Sequence, residues 1–143
     1  MNAILSYRET AVAGATPVRL VVLLYEQAIE DLRRAVAAQE KKDIESRTRE
    51  INHAILVIGH LQATLDKERG GNVSDNLERF YQHVLAGLLD AQARQSAAGL
   101  EKQISQLMEI RDAWCEVERQ VALPAPTQFQ EPDANRSGSE WKA

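Results

Sequence analysis

Apolar residues recur every three or four positions through most of this chain, which is the spacing that places them on one face of an α-helix. The pattern predicts four helices, covering residues 17–39, 44–69, 74–94 and 97–122. Helices of about 20–26 residues are roughly 30–40 Å long at 1.5 Å per residue. We therefore predict an all-α fold, an elongated antiparallel four-helix bundle with short turns between the helices.

Residues that start and stop helices separate these segments. Thr16 is a good N-cap, and Pro17 suits the first helical position because its missing N–H is not needed there. Asp43 is a similar cap for the second helix. Gly70 and Gly71 are expected to end that helix, since glycine readily adopts the left-handed conformation that closes one.

The two ends of the chain lack this periodicity. We expect an N-terminal arm over residues 1–15, the bundle over 16–122, and a disordered C-terminal tail over 123–143, which is rich in proline and polar residues. The arm carries Ile4 and Tyr7. On the residues alone, it either frays or packs these side chains against the bundle.

The run from Leu20 to Tyr25 is apolar on every side, unlike the rest of the chain. Such a helix must be covered on every side. The first three predicted helices also carry more apolar residues than the roughly three positions in seven that a bundle core needs. The surplus indicates either a groove for a partner segment, or a thick core or homodimer interface, and both interpretations stay open here.

Composition narrows the function. The net charge of −4, without a cluster of Lys and Arg, argues against nucleic acid as a partner. Cys115 is the single cysteine, so no intramolecular disulfide forms. There is no secretory signal and no apolar run of the roughly 18–20 residues that span a membrane. We expect a cytoplasmic protein without stable membrane insertion.

Candidate catalytic chemistry is sparse. Glu50 and His53 form one Glu-x-x-His pattern, whereas a di-metal bundle needs two copies. None of His53, His60 and His83 has a lysine in the next turn, as phosphotransfer bundles usually do, and we expect these histidines at the surface or a groove edge. No glycine-rich phosphate loop is present. We expect no enzyme activity, no metal and no cofactor, and keep a phosphotransfer or metal-binding bundle as the alternative.

Short motifs spread over residues 4–119 resemble the FliS family, the flagellin-specific chaperones of bacterial flagellar export. Their order and spacing carry the resemblance more than any one piece does. They are Tyr7 with Val12, Thr16-Pro17, Leu20, Leu23-Leu24-Tyr25-Glu26, Lys42-Asp43-Ile44, Leu65-Asp66 with Glu68, Gly70-Gly71, Asn76-Leu77, Tyr81 and Ala113-Trp114. Two places depart from the family pattern: residues 95–99 lack its usual turn, and Glu26 stands where many members have Asp.

The resemblance implies an export chaperone that binds the disordered C-terminal segment of flagellin. It would prevent premature polymerisation and help deliver flagellin to a flagellar export gate component, with no cofactor. Expected client contacts lie off the cleanest core stripes, and the arm would act as a lid that the client displaces. These residues are Ile4 and Tyr7 in the arm, Val22, Tyr25 and Ile29 in the first helix, Leu56 in the second, and Leu85 and Leu89 in the third.

Overall fold

The computed structural model describes residues 16–122, which form four helices. Helix α1 spans Pro17–Glu40, α2 Ile44–Ala63, α3 Lys67–Arg94 and α4 Ala97–Ala122. Both α1 and α3 pack against α2 and α4, so the helices lie at the corners of a square. Because the connections are so short, consecutive helices run antiparallel. The predicted all-α four-helix bundle is confirmed.

The predicted caps form as expected. The Thr16 hydroxyl accepts a hydrogen bond from the Arg19 amide at 3.1 Å, and Pro17 occupies the first turn of α1. The Asp43 carboxylate accepts one from the Ser46 amide, also at 3.1 Å. Each cap satisfies an amide that has no partner within its own helix.

The second helix ends earlier than predicted. It stops at Ala63 rather than Arg69, because Asp66 caps a new helix by accepting a hydrogen bond from the Arg69 amide at 3.1 Å. The glycine pair therefore lies inside α3, where Gly71 is non-helical with φ 53° and ψ −130°. The glycines do interrupt a helix as predicted, but they kink α3 instead of ending α2.

The core is built largely from the predicted stripes. Those buried are Ala28, Leu32, Ala35, Ile51, Ile58, Val84, Leu88, Ala91, Leu100, Ile104 and Leu107. The residues of these stripes become more exposed towards the end of the bundle where α1 begins and α2 ends. There Leu65, Leu77 and Trp114 are only partly buried, and Val73 is 65% exposed.

A buried polar cluster joins α1 to α2. Asp31, a charged residue of α1, is fully buried. Its carboxylate accepts hydrogen bonds from Gln27 at 2.8 Å and Arg34 at 2.7 Å, and its other oxygen pairs with His53 Nδ1 at 2.5 Å. Arg34 also reaches Glu50 at 3.3 Å. His53 is therefore a partly exposed partner of a buried carboxylate, a role that the sequence does not indicate.

The Glu-x-x-His pattern has a structural explanation in these contacts. Glu50 and His53 both reach across to α1, where Arg34 and Asp31 hold them. Within residues 16–122, no group of three or more His, Cys, Asp and Glu side chains is placed to hold a metal ion. Over the same residues, no helix combines the length and apolar character that crossing a membrane requires.

Asp31 should make stability depend on pH in a defined direction. Burial raises the pKa of this carboxyl above 3.8, against hydrogen bonds from His53 and Gln27 that lower it. The folded state therefore binds this proton more tightly than the unfolded state, a contribution that is lost as pH rises through the folded pKa. The free energy of unfolding of the wild type, relative to Asp31→Asn, should thus fall as pH rises from about 4 towards 7. Urea denaturation across that range measures it.

Asp43 provides a control, because its contribution to stability should change with pH in the opposite direction. Hydrogen bonds from Ser46 lower the pKa of this exposed cap carboxyl. Its contribution is therefore present above the unfolded pKa and lost as pH falls through the folded one. The stability of the wild type relative to Asp43→Asn should rise with pH over the lower part of the same series. Slopes of the same sign for Asp31→Asn and Asp43→Asn would contradict this account.

Candidate binding surface at one end of the bundle

A pocket of about 170 Å³ opens at the end of the bundle where α1 begins and α2 leads into α3. We call it the end pocket. Helices α1, α3 and α4 and the connection between α2 and α3 form its wall, and most of the lining is apolar. The lining residues are Val21, Thr64, Leu65, Asp66, Gly70, Val73, Ser74, Leu77, Tyr81 and Trp114.

Aromatic side chains lie beneath the end pocket. The Tyr25 hydroxyl donates a hydrogen bond to the Tyr81 hydroxyl at 2.9 Å, and the two rings are 6.2 Å apart. Burial raises the pKa of both tyrosines, so both hydroxyls stay protonated at neutral pH. A neutral hydrogen-bonded pair thus joins α1 to α3 where the end pocket begins.

Ser74 is the unusual polar group in the wall of the end pocket. The residue is only 3% exposed, and its hydroxyl has no hydrogen-bond partner among the described residues. The nearby Thr64 hydroxyl, by contrast, donates to the Leu61 carbonyl at 2.7 Å. A buried hydroxyl without a partner carries a desolvation cost of about 1–3 kcal/mol. The wall therefore holds one polar atom whose hydrogen-bonding capacity is unused.

Exposed valines extend the apolar surface around the end pocket. Val73 at its rim is 65% exposed. On α4, Val117 is 40% exposed and Val121 is 65% exposed. Both share a helix face with Trp114, since they follow it by three and seven positions. The apolar surface thus continues from the pocket towards the end of α4.

Three of the predicted client contacts lie in the core instead of on a groove. Val22 and Tyr25 are fully buried, and Ile29 is 3% exposed. We expected them off the core because they lie beside the cleanest stripe of α1. That expectation is wrong because α1 packs against both α2 and α4, so a wide arc of its surface is covered.

The other predicted contacts do not reach the end pocket. Leu56 is 60% and Leu89 is 59% exposed, while Leu85 is partly buried against the core. We call Leu56, Leu85 and Leu89 the outer face. Along α3, Leu89 lies about 24 Å from Val73 at 1.5 Å per residue. Ile4 and Tyr7 are outside the described residues.

Sequence reasoning missed the end pocket because four of its ten lining residues have the spacing expected of a core stripe. Leu65, Val73, Leu77 and Trp114 all belong to predicted core stripes. Each stripe points inwards, but at this end Leu65, Leu77 and Trp114 are only partly buried against the core, and Val73 is 65% exposed. The glycine pair within residues 70–71 was the available signal, since a helix that breaks inside an apolar stripe leaves part of that stripe uncovered.

Comparison with known proteins identifies the family. Residues 1–121 match the family model described as flagellar protein FliS. The chain is 35% identical to the flagellar secretion chaperone FliSB of Pseudomonas aeruginosa, over 74% of this chain and 84% of that protein. It is 33% identical to the flagellar secretion chaperone FliS of Salmonella typhimurium, over 76% and 82% of the two chains, respectively. The relative in Escherichia coli, with the same name, is 27% identical over 87% of this chain and 88% of its own. This chain therefore belongs to the FliS family of flagellar proteins.

Proposed function

We propose that this protein is a cytoplasmic export chaperone that binds the C-terminal segment of flagellin. It prevents premature polymerisation and helps deliver flagellin to a component of the flagellar export gate. One structural observation supports the proposal independently of family membership. Motif residues that are far apart in the sequence, namely Leu65, Leu77, Tyr81 and Trp114, all line the end pocket.

The end pocket suits a segment that folds as it binds. Ordering such a segment costs conformational entropy, so its affinity must come from apolar contact. A cavity of about 150 Å³ lined by aliphatic and aromatic groups holds a benzene molecule. A pocket of about 170 Å³ therefore accommodates one large apolar side chain of the client. The valines around it offer further contact to the neighbouring client residues.

The alternative of a metal-binding bundle has no favourable geometry in residues 16–122. Asp31 occupies Nδ1 of His53, and Arg34 occupies the carboxylate of Glu50. His60 and His83 are exposed, on α2 and α3 respectively. The family relatives that match this chain are named secretion chaperones, which favours a binding protein over an enzyme.

Flagellin binding can be tested with a truncation and a matched pair of charge substitutions. Wild-type protein should retain full-length flagellin and lose flagellin that lacks its last ~40 residues, a length matched to the roughly 30–40 Å helices. Val73→Glu should weaken binding at least about tenfold, or about 1.4 kcal/mol, because it places a charge at the rim of an apolar contact. Isothermal titration calorimetry with purified flagellin gives the affinities.

Leu56→Glu is the control, since Leu56 is 60% exposed and Val73 is 65% exposed. Both positions tolerate a charge in the free protein, so neither variant should unfold. Binding that weakens with Leu56→Glu and not with Val73→Glu would move the client site to the outer face. Equal binding of full-length and truncated flagellin would refute the proposal itself.

The arm is proposed as a lid that competes with the client. Its residues enter the fold at Thr16, one turn before Val21 in the end pocket. A lid weakens the apparent affinity for flagellin, because only the fraction of molecules in which the lid is open can bind. Deleting residues 1–12, or replacing Tyr7 with Ala, should therefore tighten flagellin binding in the same titration. Either change should also lower the urea unfolding midpoint slightly, because a closed lid stabilises the folded bundle. Unchanged affinity, together with unchanged proteolysis of the arm in Tyr7→Ala, would rule out the lid.

A further inference from the structure

The kink in α3 rests on a single backbone conformation. Gly71 has φ 53° and ψ −130°, a combination that side chains of L-residues strongly disfavour. An added Cβ at Gly71 would meet no atom within 4 Å. Conformation, and not lack of space, therefore makes glycine necessary here. In a continuous helix the same position would accept any residue.

The kinked conformation leaves a polar group unsatisfied. In a regular helix, a serine hydroxyl can donate a hydrogen bond to the carbonyl four residues earlier, which for Ser74 is that of Gly70. The kink lies between these two residues, and the buried Ser74 hydroxyl has no partner in the described chain. Continuous helical geometry through Gly71 would supply the acceptor that the kinked form withholds.

The turn before Gly71 is a small unit attached at both ends. Asp66 caps it, and its carbonyl accepts a hydrogen bond from the Gly70 amide at 2.7 Å. Lys67 pairs with Glu78 at 3.4 Å, an ion pair that is partly exposed to solvent. Leu65 packs against the core on one side, and Gly71 is the joint on the other. The turn can thus move on Gly71 at the cost of weak surface contacts.

We infer that α3 has two conformations, which differ at Gly71. In the kinked conformation, Gly70 at the end of the Lys67–Gly70 turn forms part of the wall of the end pocket. In the continuous conformation, the Ser74 hydroxyl bonds to the Gly70 carbonyl and that wall is displaced. Gly70 and Val73 line the pocket on either side of the joint, so its shape depends on the state of α3. Any occupant of the pocket therefore selects between the two states, and the equilibrium exists whether or not flagellin is that occupant.

Gly71→Ala tests the two states, with Gly59→Ala as its control. Alanine is disfavoured at positive φ and favoured over glycine in a helix, so Gly71→Ala should shift α3 towards the continuous state. Gly59, in α2, also has open space around an added Cβ, but it lies in regular helix. Amide hydrogen exchange should show at least tenfold more protection at residues 72–75 in Gly71→Ala. Trp114 fluorescence, recorded with Trp141→Phe in both proteins, should change as well, because Trp114 lines the pocket.

Gly59→Ala should raise the urea midpoint and leave amide exchange at residues 72–75 and Trp114 fluorescence as in the wild type. The kink would be fixed if Gly71→Ala lowered the urea midpoint without altering amide hydrogen exchange or Trp114 fluorescence. That result would overturn the inference. Native-state exchange on the wild type gives a second test that needs no variant. The amides of residues 72–75 should exchange through a local opening, whose free energy depends little on urea concentration. Exchange of these amides only through global unfolding would equally overturn the two-state account.

Discussion

The need to cover α1 on several sides is the constraint on which the rest of the bundle depends. The run from Leu20 to Tyr25 is apolar all round, and α2 and α4 cover it from two directions. Val22 and Tyr25 are fully buried as a result. Val21 lies on the arc that these neighbours leave open, and it faces the end pocket. The surplus of apolar residues in α1 thus serves both a thick core and one exposed pocket, two interpretations that the sequence alone leaves open.

The end pocket follows from a mismatch between neighbouring helices at this end of the bundle. Helix α2 stops at Ala63, and α3 turns aside at Gly71 before it continues along the bundle. The inward-facing side chains of α1 and α4 therefore lack the partners that a straight, full-length neighbour would provide. The apolar stripe of α4 reaches Trp114 and continues beyond it to exposed valines. Residues with the spacing of a core stripe thereby become part of an apolar surface.

Helix positions, most caps and much of the core follow from local information in the sequence. Periodicity reports which residues share a face, and Thr16 and Asp43 act on amides three residues away. The wrong predictions concern which apolar face of a helix points into the core and which points to solvent. Val22 and Leu56 are both apolar residues beside a core stripe, yet one is fully buried and the other is 60% exposed. The rotation of each helix about its axis decides this difference, and that rotation depends on packing between helices that are distant in sequence.

Asp31 is the clearest case of a residue whose role only the fold reveals. Its partner His53 lies on a different helix, and nothing near it in sequence indicates burial. A buried carboxylate is costly unless it is paired, so the Asp31–His53 contact favours the arrangement of α1 and α2 in which the two residues meet. Sliding α1 along α2 by a turn would separate Asp31 from His53 and leave a charge buried without that partner. The same sliding would move Val21 away from Leu65 in the end pocket. The polar cluster in the middle of the bundle therefore fixes the register that assembles the apolar surface at its end.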